Sequence, residues 1–478
     1  MRFFTPFLLF FSCMLPAWEP ATQETSQYFQ TIRDNPDKLR IFFRDMPLGG
    51  DIHHHLSGSV WAEDLIEIAL RYELCTDNTW FLTLPPCANG SQPFQSKNPA
   101  QYVSAIDAWS MQGQKPGSKD ASRHFYSIFS KIGYAATRTV DVLPQLMRRA
   151  SLEGVTYLET MTRAREARET LADLEKQWTW RSDWDGFTKE LQRDPLYQKS
   201  LNLALSAFDR YHQNLGPISG ETGVEVRFIY QIHRHQEKTR VFISTALAFE
   251  IADRSPHVVG VTMVGPETHY YSQVEYETHM SMLAFFHKKY PQVRQTLHAG
   301  ETQPGMAPPE KRSHHIRDAI ETAGAERIGH GIDIAAETDA PGLLQKMADE
   351  KLAVEIAPSS NEWLLGITQP HPMQLYWESG VPLVLATDDA GIFRTDLTEQ
   401  FVLATLRNPD LRYEHFKEMV RNSLEFSFLE GNSLWLKRGV YTEMAAMAEK
   451  RDQFLAENTR ARLQWRLEND FKEFEARF

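Results

Sequence analysis

Short runs rich in β-branched residues alternate with helical patterns from residue 47 onward, and this alternation narrows the possible folds more than any other feature. It is typical of an α/β fold in which parallel strands are joined by crossover helices. Eight strands are predicted, the number that a (β/α)8 TIM barrel needs. They span Gly50–His55, Val155–Met161, Val224–Ile232, Val258–Val264, Val293–Ala299, Arg327–Ile332, Leu352–Ala357 and Leu383–Thr387. An open doubly wound sheet is the alternative, but no glycine-rich phosphate turn follows the first strand.

The strands and their helices predict one domain over residues 47–478 with two insertions. After a predicted helix over Trp61–Tyr72, residues 73–121 are rich in Asn, Gln, Ser and Pro, which predicts a loop-rich insertion beside the barrel mouth. Residues 163–220 predict a helical insertion. Its amphipathic helices are expected over Arg163–Trp178 and Trp184–Leu215. A charged helical tail that starts at Glu399 is expected to pack on the barrel.

The overall charge argues against two classes of partner. The 478 residues include 51 Lys and Arg against 63 Asp and Glu, which gives a formal net charge of −12. A negative chain without a basic cluster binds nucleic acid and anionic membranes poorly. The hydrophobic content of 42% is enough to fill a large core, so a disordered chain is excluded. A small uncharged ligand remains compatible with these numbers.

The first 17 residues have the pattern of a secretory signal peptide. One Arg precedes the apolar run Phe3–Leu15, which is too short to span a bilayer, and Pro16-Ala17 follows as a small-residue cleavage site. We therefore expect an exported protein, periplasmic or secreted, with a short N-terminal extension over residues 18–46. A lipoprotein anchor at Cys13 stays open, although bulky residues precede it.

The chain has three cysteines, too few for a disulfide scaffold or a thiolate zinc cage. Cys75 and Cys87 bracket a short loop that contains Pro85-Pro86. Because an exported protein folds in an oxidising compartment, these two cysteines are expected to form a disulfide.

Side chains that can bind a metal end four of the predicted strands. They are His53-His54-His55 at the first strand, His298-Ala299-Gly300-Glu301 at the fifth, Gly329-His330-Gly331 at the sixth and Asp388-Asp389 at the eighth. The C-terminal strand ends of a (β/α)8 barrel converge on one mouth. The sequence therefore predicts that these imidazoles and carboxylates meet.

Alternation along the first strand selects the ligands. Residues two apart point to the same face, so His53 and His55 can bind one ion together, while His54 points away. With His298 and Asp388 they make three imidazoles and one carboxylate. This set suits Zn²⁺, one ion per chain, and leaves a position for water.

Three further residues at these strand ends are candidates for catalysis. Glu301 lies three residues beyond His298, outside the strand, where it can reach a substrate. His330 and Asp389 are placed to orient a water molecule and to carry protons.

The motifs resemble those of the adenosine deaminase family over most of the chain after residue 46. They occur in the family's order, and the ordered set is specific although each short motif alone is weak. The matching segments are His-X-His-Leu-X-Gly at 53–58, Val-Gly at 264–265 with Glu267, His-Ala-Gly-Glu at 298–301, Arg-Ile-Gly-His-Gly at 327–331, Ala-Pro-Ser-Ser-Asn at 357–361 and Thr-Asp-Asp at 387–389.

The resemblance implies a barrel of the metal-dependent hydrolase type and the deamination of adenosine or 2′-deoxyadenosine to the inosine product and ammonia. It places the family's zinc ligands on the four residues named above. It further implies that Glu301 protonates N1 of the purine and that His330 holds the attacking water. Asp389 would contact that water and N7, and the backbone amide of Gly265 would meet N3.

The remaining substrate contacts are less defined. Ser57 stands where many family members carry an Asp that contacts the ribose 5′-hydroxyl, so the sugar contact stays open. Glu159 is expected either to reach a ribose hydroxyl or to pair inside the barrel. Phe125 and Phe129 belong to an aromatic cluster on which a purine can stack, with core packing as the alternative.

The signal segment and the insertion that carries the two cysteines resemble the exported, growth-factor-related branch of the family. That branch implies a homodimer, which the short extension over residues 18–46 supports only weakly.

Other functions stay open. A deaminase of adenine or methylated adenosine is close to the leading hypothesis; AMP would need a basic phosphate pocket, for which Arg312 and His314-His315 are candidates. A binuclear amidohydrolase commonly needs a bridging Lys after the fourth strand, and Val258–Gly265 contains none. An extracellular signalling or binding protein on the same fold would tolerate loss of a ligand, whereas all the assigned positions are filled.

Overall fold

The structure is a computed structural model that describes residues 20–88, 90–95, 98–368, 370–435 and 448–478. The predicted signal peptide and Cys13 lie outside the described residues. Within the described ranges, no helix is both long enough and apolar enough to cross a bilayer.

Eight parallel strands form a barrel, as the sequence predicted, in the order β1-β5-β6-β7-β8-β9-β10-β11. The strands in chain order are β1 (Gly49–His55), β2 (Cys75–Thr76), β3 (Leu82–Thr83), β4 (Gln92–Pro93), β5 (Val155–Thr162), β6 (Glu225–His233), β7 (Val258–Val264), β8 (Arg294–Ala299), β9 (Arg327–His330), β10 (Ala353–Ile356) and β11 (Leu383–Leu385). Because helices cover the outside and side chains fill the inside, every residue of β1 and β5 is buried.

The first and last strands close the barrel through the residues just beyond β11. The amide of His55 donates to the carbonyl of Asp388 at 2.9 Å, and the amide of Asp388 donates to the carbonyl of His53 at 2.9 Å. The barrel is therefore sealed at the segments that carry the predicted metal ligands.

Two strands end earlier than predicted, at His330 rather than Ile332 and at Leu385 rather than Thr387. His330 has a φ of 66° and Asp388 a φ of 62°. A positive φ turns an L-residue out of extended geometry, so the backbone leaves the sheet where these side chains are presented.

Helices surround the barrel and pack its outer face. They are α1 (Pro20–Ile32), α2 (Pro36–Asp45), α3 (Ala62–Arg71), α4 (Pro99–Trp109), α5 (Lys119–Ala136), α6 (Thr139–Leu152), α7 (Arg168–Gln177), α8 (Trp184–Leu191), α9 (Pro195–Thr222), α10 (Lys238–Arg254), α11 (Tyr270–Val274), α12 (Tyr276–Lys289), α13 (His315–Glu321), α14 (Ala340–Glu350), α15 (Pro358–Leu365), α16 (Met373–Glu378), α17 (Ala390–Phe393), α18 (Leu397–Arg407), α19 (Tyr413–Glu425), α20 (Ala448–Glu457) and α21 (Thr459–Glu475). Short 3-10 turns cover Arg165–Ala167, Pro309–Lys311 and Ile334–Ala336.

The segment 73–121 contains more regular structure than a loop-rich insertion implies. Strands β2, β3 and β4 form a small antiparallel sheet, and α4 follows it. Cys75, in the central strand β2 of this sheet, forms a disulfide with Cys87.

The single helix predicted over Trp184–Leu215 is wrong, because the structure contains two helices there, α8 and α9. The break falls at Asp194-Pro195, where the Asp194 carboxylate accepts the amide of Leu196 at 2.7 Å and caps α9. Proline at the first position of a helix cannot continue a preceding one, so the chain restarts at this point.

The first two helices pack against the C-terminal helices through aromatic rings. Phe42 of α2 lies edge-on to Phe474 of α21, with ring centroids 5.1 Å apart. Phe43 makes a similar contact with Phe416 of α19 at 5.3 Å. The segment before β1 is thus tied to the described part of the tail.

Candidate active site

Three imidazoles and one carboxylate meet at the C-terminal mouth of the barrel. His55 Nε2 lies 3.2 Å from His298 Nε2 and 3.3 Å from Asp388 Oδ1, and His53 Nε2 lies 3.8 Å from the same oxygen. The ligands of a tetrahedral metal with bonds of about 2.1 Å lie about 3.4 Å from one another. The four side chains therefore have the spacing of a divalent-metal site, as the sequence predicted.

One hydrogen bond of His53 leaves its Nε2 facing the other ligands. His53 Nδ1 lies 2.6 Å from Glu355 Oε2. A carboxylate accepts, so Nδ1 carries a hydrogen, and Nε2 is the nitrogen that can bind a cation. His53 Nε2 is buried without a hydrogen-bond partner, as expected of an atom that binds a cation.

The other two imidazoles also have partners behind them. These are the side-chain amide of Gln231, 2.6 Å from His55 Nδ1, and the hydroxyl of Thr262, 3.3 Å from His298 Nδ1. For these imidazoles to bind a cation through Nε2, the Gln231 amide must present its oxygen to His55 Nδ1–H, and the Thr262 hydroxyl must accept from His298 Nδ1–H. The partner at Nδ1 fixes the orientation of each ring, so the Nε2 atoms of these imidazoles point toward the same position between the ligands.

Glu355 is a functional residue that the sequence analysis missed. It is fully buried in β10 and also accepts from Arg327 Nε and from Thr296 Oγ1 at 2.9 Å. Burial opposes ionisation of this carboxyl, but Arg327 and then His53 bring its pKa down to about 2. The signal in the sequence is a carboxylate within the apolar run Ala353–Ile356.

Glu301 stands at the edge of the ligand cluster, with Oε1 3.7 Å from His330 Nε2. Its side chain is only 11% exposed. Burial, followed by the negative charge of Asp388, raises the pKa of Glu301 to about 8. The carboxyl group therefore holds a proton at neutral pH that it can give to a base.

The backbone that carries Glu301 is held by Glu267, whose carboxylate accepts the amide of Glu301 at 2.7 Å and the amide of Gly300 at 3.1 Å. His315 Nδ1 lies 2.6 Å from Glu267 Oε1, and the ring of Tyr276 stacks on His315. Burial opposes ionisation of Glu267, but His315 and Arg234 bring its pKa down to about 2.

The sequence analysis noted Glu267 only as part of a motif and gave it no role, and it named His315 only as a candidate for a phosphate pocket. In the structure the two residues hold the acid in place.

Asp388 and Asp389 occupy one pocket in different charge states. Burial opposes ionisation of Asp388, but His55, His330 and His53 bring its pKa down to about 2. Burial and the neighbouring Asp388 raise the pKa of Asp389 well above its usual range. One of the pair is thus an anionic ligand, and the other is a proton carrier.

The side chain of Asp389 lies against Gly58. A Cβ on Gly58 would come within 1.5 Å of Asp389 Oδ1. That oxygen is buried without a hydrogen-bond partner among the described residues. The side chain of Asp389, in the last motif, therefore requires a glycine at position 58, in the first motif.

Gly265 directly follows β7 with a φ of 107°, and a Cβ there would lie 2.3 Å from His235 Nδ1. Arg234 donates to the carbonyl of Gly265 at 2.8 Å and to the carbonyl of His298 at 2.8 Å. The strand end predicted to contact a purine is therefore tied to the strand end that carries a metal ligand.

The remaining predicted substrate residues occupy different environments. Ser57 is half-buried in the turn after β1. Glu159 is fully buried, accepts Tyr157 Oη at 2.8 Å and pairs with Arg327 at 2.7 Å. The structure thus places Glu159 in the internal pairing that the sequence left open as an alternative to a ribose contact.

In the aromatic cluster, Phe125 is buried and stacks on Phe393 with ring centroids 5.1 Å apart. Phe129 is partly buried and lies edge-on to Phe125 at 5.2 Å. Their neighbour Tyr126 is 39% exposed. Phe125 therefore contributes packing, and Tyr126 is the ring of this cluster with a free surface.

Sequence comparison relates this chain to known deaminases. The family profile described as "Adenosine deaminase" matches residues 185–441. The adenosine deaminase of Clostridium perfringens is 24% identical over 387 residues, which cover 79% of this chain and 93% of that protein.

Solved structures share the fold. A COG1816 amidohydrolase of Burkholderia ambifaria with bound Zn superposes with a TM-score of 0.55 at 17% identity, covering 88% of this chain and 94% of that one. The N6-mAMP deaminase of Arabidopsis superposes with a TM-score of 0.53 at 20% identity, covering 85% of this chain and 100% of that one.

Proposed function

The chain belongs to the adenosine deaminase family, and from that premise we propose that it deaminates adenosine and 2′-deoxyadenosine by hydrolysis, with one Zn²⁺ bound per chain. The products are inosine or 2′-deoxyinosine and ammonia. The family supports a hydrolase that acts on C–N bonds, and the choice of nucleoside is the proposal.

The residues that would hold the ion are His53, His55, His298 and Asp388. Their inner atoms converge at the spacing described above, and the orphaned Nε2 of His53 fits a bound cation. Zn²⁺ in such a site lowers the pKa of water toward about 7 and so supplies a nucleophile at neutral pH.

The observation that carries the proposal is the buried carboxyl group of Glu301 at the edge of this cluster. C6 of a neutral purine is a poor electrophile, and a proton on N1 makes it a better one. Glu301 is held by two clamped backbone amides beside the site and keeps its proton at neutral pH. It therefore gives its proton to N1 as water adds to C6, and ammonia then leaves C6.

The other residues orient the reactants. The amide of Gly265 meets N3 of the purine, and Asp389 contacts N7 and the attacking oxygen. His330 lies opposite Glu301 across the same space and contacts that oxygen. These contacts place C6 over the nucleophile, which is the main source of rate in an oriented reaction.

The environment of the candidate phosphate ligands favours a nucleoside over a nucleotide. Arg312 binds Asp333 through two hydrogen bonds of 2.6 Å each, and Thr302 donates to the same carboxylate at 2.7 Å. His315 is bound to Glu267. Because these basic groups already have partners, they offer little to a phosphate.

We also propose that the protein acts outside the cytoplasm. The disulfide between Cys75 and Cys87 supports this, since such bonds persist in oxidising compartments. Edman sequencing of the mature protein from cells that express the whole chain checks the proposal. An intact Met1 on soluble cytoplasmic protein contradicts it.

A substrate panel tests the activity. Adenosine, deoxyadenosine, adenine, AMP and methylated adenosines are compared by kcat/KM for ammonia release. The two nucleosides are expected to give the highest values. A higher kcat/KM for AMP or N6-methyl-AMP would replace the proposed substrate with a nucleotide, in line with the Arabidopsis relative. Normal turnover after exhaustive chelation would exclude the metal-dependent mechanism.

The Glu301→Gln variant tests the acid. Gln fills the same space without a proton to give, so kcat is expected to fall by at least roughly 10²–10⁴-fold while zinc content is unchanged. Metal analysis and steady-state kinetics are the measurements. If Glu301→Gln keeps near wild-type kcat, the role of Glu301 is wrong.

A further inference from the structure

A line of hydrogen bonds runs from the backbone of α16 to His330. The amide of Met373 donates to His371 Nδ1 at 3.1 Å. His371 Nε2 lies 3.3 Å from Asn361 Oδ1, and Asn361 Nδ2 lies 3.2 Å from His330 Nδ1. Asn361 and His371 are each 1% exposed, so water does not compete for these groups.

The direction of every hydrogen bond in this line follows from its first member. A backbone amide only donates, so His371 Nδ1 accepts and its hydrogen sits on Nε2. His371 Nε2 then donates to the oxygen of Asn361, which leaves the NH₂ group of Asn361 facing His330. His330 Nδ1 must therefore accept.

The backbone N–H of Met373 also excludes the opposite orientation of the Asn361 side-chain amide. If Asn361 were rotated to offer its oxygen to His330, its NH₂ would face His371 Nε2 and push that hydrogen to Nδ1. A hydrogen on Nδ1 would then face the N–H of Met373 with no acceptor between them.

We propose that Asn361 and His371 are positioning residues that fix His330 as the Nε2–H tautomer, so that His330 donates a hydrogen bond to the attacking oxygen and does not accept its proton. His330 Nε2 is buried without a hydrogen-bond partner among the described residues, and it lies 3.7 Å from Glu301 Oε1 and 4.0 Å from Asp388 Oδ2. Its hydrogen is therefore available to an oxygen in the space between these groups.

This tautomer excludes His330 as the base of the reaction. Its role in catalysis rests on the proposed deamination. His330 keeps its own hydrogen, because its other nitrogen is occupied by the amide of Asn361. The protons that the attacking water loses therefore pass to groups other than His330: one replaces the proton that Glu301 gives to N1, and one leaves on ammonia. Because Asn361 and His371 are uncharged, this line of hydrogen bonds places no further charge beside the metal ligands.

The test is the tautomer itself, read from ¹⁵N chemical shifts of the zinc-loaded full chain labelled with ¹⁵N-histidine. The signal of His330 is identified by its loss in His330→Gln. At neutral pH, Nε2 of His330 is expected to be protonated and Nδ1 unprotonated. An Nδ1–H tautomer or an imidazolium in the wild type overturns the proposal.

Asn361→Asp reverses the last hydrogen bond, since a carboxylate accepts from both histidines. His330 is expected to change to the Nδ1–H tautomer, with kcat lower by roughly 10²-fold or more and KM little changed. An unchanged tautomer, or a changed tautomer with full kcat, contradicts the proposal. Asn35→Asp is the control: the side-chain oxygen of Asn35 accepts two backbone amides at the start of α2, which a carboxylate can also do, so this variant should keep the wild-type tautomer and kcat.

If Asn361→Asp does not fold, His371→Phe tests the same line by removing the donor behind Asn361. His330 is then expected to show both tautomers, and a pure Nε2–H signal contradicts a role for His371. The wild-type spectrum does not depend on turnover. A wild-type chain with the Nε2–H tautomer and no deaminase activity would refute the proposed function alone.

Discussion

Two hydrogen-bond networks flank the metal ligands, and they are built in opposite ways. The acid-side network, Glu267 and His315, uses a full negative charge to clamp the backbone of Glu301. The nucleophile-side network, Asn361 and His371, is uncharged and acts on a single ring nitrogen of His330. The acid-side network fixes the position of Glu301, and the nucleophile-side network fixes which nitrogen of His330 carries the hydrogen.

The difference follows from what each side must do. A carboxylate near Glu301 strengthens the hold on two amides and adds to the negative field that, after burial and Asp388, raises the pKa of Glu301. The same charge next to His330 would draw a proton onto its Nδ1 and reverse the tautomer. A negative charge therefore helps Glu301 to act as the acid, but it would prevent His330 from donating a hydrogen bond to the nucleophile.

Of two further variants that compare the sides of the site by turnover, Gly58→Ala is expected to have the larger effect, and it disturbs the side of the nucleophile. The new Cβ would lie 1.5 Å from Asp389 Oδ1 and 2.4 Å from its Cγ, so Asp389 must move. A displacement of this size is expected to lower kcat by about 10²-fold. Steady-state kinetics with zinc analysis measures it.

Gly216→Ala is the matched control, because a Cβ on Gly216 in α9 meets nothing within 4 Å. It should keep full activity. If Gly58→Ala does so as well, the contact between Gly58 and Asp389 has no role in turnover.

A smaller effect is expected from Glu267→Gln on the acid side. Gln keeps the shape but loses the charge and offers one accepting oxygen where the wild type offers two. We expect kcat to fall about tenfold, the value of one charged hydrogen bond, with the ¹⁵N signals of His330 unchanged.

Glu250→Gln provides the comparison for Glu267→Gln, since Glu250 is 2% exposed in α10 and bonds to Tyr197 at 2.8 Å, apart from the ligand cluster. Its kcat should equal that of the wild type. A shift of the His330 tautomer in Glu267→Gln would show that the two networks are not separate.

A third test measures stability, and it distinguishes the networks by the pH at which each one loses stability. Glu267 has a pKa of about 2 in the folded chain, below its usual 4.5, so its stabilisation is complete above pH 4.5 and is lost as the pH falls toward 2. Burial lowers the pKa of His371 to about 3 from 6.5, so protonation of the unfolded chain costs stability from pH 6.5 down to 3.

Urea unfolding of the wild type, Glu267→Gln and His371→Gln between pH 7 and 3 measures this difference. The wild type should lose stability relative to His371→Gln first, and relative to Glu267→Gln only below pH 4.5. The full change for Glu267 is about 3 kcal/mol. Identical pH profiles for the two variants would contradict the assigned charge states.

The sequence was sufficient to predict the ligand cluster because strand geometry determines it. Alternation selects His53 and His55, and the shared mouth of a parallel barrel brings His298 and Asp388 to them. Glu301 and His330 follow from the same rule. Each of these positions depends on one local feature, the end of a predicted strand.

The supporting residues could not be predicted, because their contacts depend on register and on loops. Glu355 reaches His53 from β10, which is separated from β1 by β11 around the closed barrel. His371 meets Asn361 only because the chain turns back between α15 and α16. Glu267 stood in a motif, but its partners lie just after β8 and at the start of α13. These pairings are set by tertiary structure and leave no periodic signal.

The closure of the barrel has a consequence for the order in which the protein is made. The imidazoles of β1 leave the ribosome long before Asp388, yet the backbone of Asp388 is the piece that joins the first strand to the last. A nascent chain therefore cannot complete its metal site until nearly the whole barrel has been synthesised. Loading with metal therefore follows synthesis of the barrel, and a chain truncated before residue 388 should emerge without a closed site.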